Sequence, residues 1–317
     1  MRPGRLEYLD AARFCAAVSV FLYHLLYVHH GELSEVFLPF KYGIWGVMVF
    51  FVISGFVIGM SVEGSTAKMF VLKRVKRLYP AYWVSIAFVV VVAAIVGEVP
   101  DALTTIVNLT MLQEFLGFEH INGVFWTLTF ELLFYFYILC GVFILKINIR
   151  TFNVLWILAL CVAHVVDIDI VRKLILGSYA IYFVFGLQVM LIFKERKLID
   201  WVVLVFILGL LFFYSRENLQ QYSVYLSDSM GFLGLFKFVF IFLLFSYGFQ
   251  KILPSKVAYL GEISYPLYLV HPFAMVLSNY FFDNWLDIFV STFLSFTVSA
   301  LVLISERHLR SLMNKLI

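Results

Sequence analysis

The chain has 317 residues, of which 63% are hydrophobic and only 14% charged, with a formal net charge of +3. Soluble domains are about 45–50% apolar and about 25% charged, so a polar-coated globule and a disordered chain are both excluded. What remains is an all-α polytopic membrane helix bundle.

Apolar runs recur along the whole chain, and we read about ten transmembrane helices: Leu9–Val28, Tyr42–Ser61, Pro80–Val96, Val124–Leu145, Phe152–Val166, Leu174–Phe193, Ile199–Tyr214, Phe232–Phe249, Val257–Tyr280 and Trp285–Ile304. Most approach the ~20 residues that cross the hydrocarbon core, and they are solidly apolar rather than alternating, which favours helices over a barrel. Ile199–Tyr214 is short. Leu103–Leu116 is apolar but too short to span, and reads as re-entrant or interfacial. With the N-terminus inside, 17 of the 23 Lys and Arg residues fall on the inner side, and Lys41, Arg172, Lys173 and Arg216 fall outside. That is the positive-inside asymmetry, and it places both termini in the cytoplasm. The first apolar run is too long for a cleavable signal and carries Arg13. Residues 1–317 read as a single transmembrane domain. Cys15, Cys140 and Cys161 lie in spans without a pairing pattern. The charge balance gives no reason to expect nucleic acid.

Ionisable groups inside spans are costly in lipid and mark function. Arg13 and His24 lie 11 residues apart in the first span, so they share one face about 16 Å apart along the axis. Asp10 is placed to pair with Arg13; the alternatives are snorkelling for Arg13 and a helix–helix hydrogen bond for His24. Glu131 lies about 10 Å into the fourth span, and His271 lies in the outer half of the ninth. A histidine with a carboxylate neighbour is suited to general-base chemistry. Arg74 and Arg77, at i and i+3, suit a phosphate-bearing ligand at the cytoplasmic edge, or anionic lipid. Pro80 limits how far that helix continues. Gly55 permits close helix approach, and Gly261, Pro266 and Pro272 suggest a kinked ninth helix.

Five segments together resemble the acyltransferase-3 membrane family. Tyr8-Leu9-Asp10-Ala11-Ala12-Arg13 with His24 is similar to its first-helix signature. Phe50 to Phe56, with Ser54-Gly55, resembles the second, and Phe70 to Trp83, with Arg74-x-x-Arg77, the third. Trp126 to Glu131 matches its Trp-x-Leu-x-x-Glu element, and Leu260 to His271 resembles a late-helix element. Ala11 and Phe14 stand where the family often has glycine. The resemblance implies a bacterial inner-membrane O-acyltransferase, most often an O-acetyltransferase. Such an enzyme takes its acyl group from cytoplasmic acyl-CoA, commonly acetyl-CoA, with no metal. The acceptor implied is a polysaccharide or lipid-linked sugar hydroxyl. The resemblance assigns His24 as catalytic histidine with Arg13 as companion, Glu131 as a core site residue, and Arg74 and Arg77 to the coenzyme A phosphates. Tyr268 and His271 fall near the substrate. Membrane lipids are expected neighbours, and homo-oligomerisation stays open. The competing reading is a transporter or flippase for lipid-linked sugars or small solutes, against which stands the lack of an inverted repeat.

Overall fold

The computed structural model describes residues 7–30, 38–166, 176–221, 254–282 and 285–316. Ten α-helices follow in order: α1 (Glu7–Leu22), α2 (Gly46–Val62), α3 (Ala67–Val96), α4 (Ala102–Leu109), α5 (Trp126–Ile138), α6 (Ile149–Val166), α7 (Ala180–Glu195), α8 (Leu198–Gln221), α9 (Pro254–Phe281) and α10 (Trp285–Leu316). Wider π-helical turns extend α1 over Tyr23–His29 and α5 over Leu139–Ile144. No strand occurs among the described residues. Six helical segments are long and apolar enough to cross a membrane: Tyr8–His29, Phe40–Val62, Ala67–Val96, Gly123–Ile144, Ile149–Val166 and Trp285–Lys315. Helices α7 and α9 stand where Leu174–Phe193 and Val257–Tyr280 were expected, and α8 carries the shorter apolar stretch Leu198–Leu211. The expected span Phe232–Phe249 lies outside the described residues.

The chain forms two compact units. The first comprises Met1–Val47, Arg74–Thr129 and Ile241–Ile317. In it α9 packs between α1 and α10, and the 3-10 segment Leu38–Trp45 packs on α1. Small residues make the contact with α1 close. Ala11, Ala16 and Ala17 are fully buried, and a Cβ on Gly43 or Gly46 would meet the Ser19 or Ala16 carbonyl oxygen at 2.1 or 2.5 Å. Between membrane helices, where burial of apolar surface contributes little, such approach supplies the packing contacts that hold them. Ala11 thus fits without the glycine often found there.

One expectation about a break in this unit changes. Pro80 does not limit its helix, because α3 runs unbroken through it for 30 residues. A proline inside a helix strips a hydrogen bond from the preceding turn, and in membranes neighbouring side chains restore such losses. The carbonyl that Pro80 leaves without its amide is that of Lys76; two other carbonyls of the same turn are tied from distant helices, Arg310 Nη2 donating to Arg77 (3.1 Å) and Tyr265 Oη to Leu78 (3.3 Å). Helix α9 likewise continues through Pro266 and Pro272.

The stretch Leu103–Leu116 doubles back along α3. Gly97 (φ +83°) ends α3 in a left-handed conformation that glycine adopts without a Cβ clash. Asp101 then caps α4, accepting from the Thr104 amide at 2.9 Å. Tyr82, Trp83 and Tyr79 donate to the carbonyls of Asn108 (2.8 Å), Leu109 (2.9 Å) and Thr110 (2.9 Å). Irregular backbone is tolerated at membrane depth only when so satisfied. Leu103, Ile106, Phe115 and Leu116 turn outward.

The second unit comprises Met48–Lys73 and Phe130–Phe240. Its core is aromatic: Phe134 stacks on Phe183 (4.5 Å between ring centroids), and Phe51 lies against Phe183 at 4.7 Å. Gly55 and Gly186 face opposite backbones reciprocally. A Cβ on Gly55 would sit 2.2 Å from the Phe183 carbonyl oxygen, and one on Gly186 would sit 2.1 Å from that of Val52. Close approach at Gly55 was legible, whereas Gly186 gave no local signal. Backbone cannot swing aside as a side chain can, so Gly186→Ala must separate α2 from α7. We expect a cost of about 1–3 kcal/mol or more, read as a lower denaturation midpoint of the detergent-solubilised protein. An unchanged midpoint would refute this contact.

At one end of α6, Arg150 forks onto buried Asp200 (2.9 and 3.0 Å) and reaches Glu195 (2.8 Å), while Asn153 donates to Gln188 (3.0 Å). Lys197 and Arg150 hold the exposed Glu195 carboxyl down at about 2. Bidentate geometry makes this the most directional polar tie of the unit.

Candidate functional site

The groups of interest in the first unit lie along α1 and α9, which run in parallel. Asp10 packs against Gly261, where a Cβ would come within 2.5 Å of the Asp10 Cβ. One turn on, Arg13 Nη1 lies 3.5 Å from Asp10 Oδ1, the expected pairing. Further along, His24 is the second residue of the π-helical turn, an irregularity frequent at functional sites. Its Nδ1 donates to the Val20 carbonyl (2.9 Å) and lies 3.2 Å from Nε2 of His271. The two rings are 5.0 Å apart between centroids.

His271 is fully buried, its Nδ1 donating to the Leu267 carbonyl at 3.0 Å. Phe21 meets the His271 ring edge-on at 6.3 Å, and the Tyr268 ring lies 6.0 Å away. The Tyr268 hydroxyl bonds to that of Thr127 (2.9 Å) and donates to the Val124 carbonyl (3.2 Å). Asn122 Nδ2 donates to the Leu269 carbonyl (2.9 Å), so the segment that precedes α5 is fixed to α9 two residues before His271. Beyond His24, His30 Nε2 lies 3.2 Å from Asp287 Oδ2, a buried carboxylate that also accepts from Ser291 (3.0 Å).

The sequence suggested three ionisable groups from three helices, with a carboxylate beside a histidine. The structure brings His24 and His271 together, and the group hydrogen-bonded to His24 is a second imidazole. Glu131 belongs to the second unit, where its Oε1 accepts from Ser54 (3.1 Å) and from Tyr135. Ser54 belongs to the second-helix signature, so two of the sequence elements meet in that bond.

Arg74 and Arg77 sit on α3 before Pro80. The Arg77 guanidinium lies over the Tyr265 ring, 5.8 Å from its centroid. Arg310, on the part of α10 beyond its apolar run, binds the Arg77 carbonyl and pairs with buried Glu306. Lys76 donates to Asn314 (2.9 Å). This basic end of the unit is larger than sequence reading made it. Arg310 and Glu306 follow the last expected span and look like ordinary loop charges until α10 is seen to continue. Tyr265 is six residues before His271, about 9 Å along the axis of α9.

A sequence model described as an acyltransferase domain matches residues 6–304, nearly the whole chain. The chain belongs to the acyltransferase-3 family. With six described helical segments apolar enough to cross a membrane, it has the make-up of a multi-pass membrane protein of that family. Arg13, His24, Arg74, Arg77, Glu131, Tyr268 and His271 all fall inside the matched span of this acyltransferase domain. Nodulation protein 10 of Rhizobium leguminosarum bv. viciae is 29% identical over 164 residues, covering 42% of this chain and 43% of that protein. The chain thus aligns with less than half the length of this curated relative. No solved structure matches it.

Proposed function

We propose that this acyltransferase moves an acyl group, in the simplest case acetyl, from cytoplasmic acyl-CoA to a hydroxyl of a cell-surface or lipid-linked carbohydrate. The observation that carries the reading is the His24–His271 pair at one end of the α1–α9 seam, with arginines at the other. The arginines suit the phosphates of coenzyme A, since a guanidinium fork matches phosphate oxygens. The uncharged pantetheine arm would run along the seam and present the thioester to His24. His24 takes the acceptor's hydroxyl proton as the oxygen attacks the thioester carbonyl. The tetrahedral intermediate then expels the thiolate, which receives that proton. Atoms and charges balance without a metal. A two-step variant passes the acyl group through the His24 ring. A bacterial inner membrane, with acceptor on the outer side, fits this division of the seam.

The test supplies radiolabelled acetyl-CoA to purified protein in vesicles, with and without glycan isolated from the host. Label appearing in glycan only with intact protein is the expected result. Flux of acceptor without label transfer would favour the transporter reading instead.

A further inference from the structure

Backbone carbonyls decide which nitrogen of each histidine carries its proton, because a carbonyl oxygen only accepts. His271 Nδ1 faces the Leu267 carbonyl, so its neutral ring holds the proton there and presents a lone pair at Nε2. That lone pair points at His24 Nδ1, 3.2 Å away. The same His24 nitrogen faces the Val20 carbonyl at 2.9 Å. Two acceptors converge on one nitrogen, which is therefore an N–H, and the lone pair of neutral His24 is left at Nε2 on the opposite edge of the ring. We infer that His271 is a positioning residue that holds His24 in the Nδ1–H tautomer and makes Nε2 the base.

This rests on the proposed transfer and gives His271, which the resemblance put only near the substrate, a role of its own. Val20 alone would set the tautomer, but it lies four residues back on the same helix and leaves the ring held at one point. His271 holds it from a second helix. When Nε2 takes the hydroxyl proton, the cationic ring keeps its N–H directed at the His271 lone pair, so the charge is met by a buried acceptor. This is the work a carboxylate performs in the triad arrangement, done here by a neutral group. Burial between the Phe21 and Tyr268 rings and the bond to the Leu267 carbonyl fix the His271 ring in turn.

Two substitutions of similar length separate this role from space filling. His271→Gln places an amide oxygen near the former Nε2, while His271→Met fills the volume and accepts almost nothing. We expect His271→Gln to keep kcat within about tenfold of wild type. His271→Met should lose roughly 10- to 100-fold in kcat, the size of a lost hydrogen bond to a charged group, with KM for acetyl-CoA unchanged. Equal kcat in the two variants, or a loss confined to KM, would overturn the inference. If His271→Met does not fold, the ring nitrogen-15 shifts of His24 in wild-type protein carry the test. Protonated Nδ1 with bare Nε2 supports it, and the reverse overturns it. Transfer surviving in His24→Ala would instead overturn the proposed chemistry. Transfer lost there, with equal Met and Gln variants, would remove only the role of His271.

Discussion

Replacing His24 with alanine should lower acyl transfer by about 10²–10⁴-fold, the usual worth of a positioned general base. The structure gives reason to expect the protein to survive the change. Among the described residues, the ring's polar contacts are the Val20 carbonyl on its own helix and His271. Alanine is also a better helix former than histidine. The phosphate end of the donor would be held near Arg77 and Tyr265, about 9 Å from His271 along α9, so binding of acetyl-CoA should persist while turnover vanishes. That split separates a chemical role from a packing role. Acid-quenched turnover with labelled donor distinguishes the two routes. Label held on wild-type protein and absent from His24→Ala supports an acyl-histidine, and label never held supports direct attack. Near-normal turnover in His24→Ala would remove this residue from the chemistry altogether.

How much of this was legible before the fold is uneven. Helical character followed from composition, because a chain so apolar can satisfy its backbone in lipid only by helices or a closed barrel. The Asp10–Arg13 pair and close approach at Gly55 followed from spacing within one helix. The His24–His271 bond joins residues 247 positions apart, and nothing local encodes which helices become neighbours. Depth brought both residues to notice but also raised Glu131, whose bonded partners are Ser54 and Tyr135. Asp287 was within reach of the rule that found Arg13, since it is an acid two residues inside an apolar span. Its link to His30 was not, because that also depends on how α10 meets the end of the π turn. Pro80 misled because a proline does not by itself end a helix packed among neighbours, and α3 continues through it.

The α3 arginines yield the second large effect. Replacing Arg74 and Arg77 together with alanine should raise KM for acetyl-CoA by roughly two to four orders of magnitude, at about tenfold to a hundredfold for each lost charge-assisted contact. kcat should change little, because these contacts form alike in ground and transition states. The Arg310 bond goes to the Arg77 carbonyl, so truncating the Arg77 side chain leaves that tie between α3 and α10 in place. Lysine at both positions should recover only part of the affinity, as it keeps the charge and loses the fork. The rival role, holding anionic lipid, is separated by the donor itself. Acetyl-dephospho-CoA lacks a phosphate that wild-type enzyme should recognise, and the preference for acetyl-CoA over it should shrink in the double variant if either arginine meets that group. An unchanged KM for both donors, with activity that instead follows the anionic lipid content of the vesicle, would reassign the pair to the membrane surface. The coenzyme A site would then have to be sought among Arg13, Arg307 and Arg310.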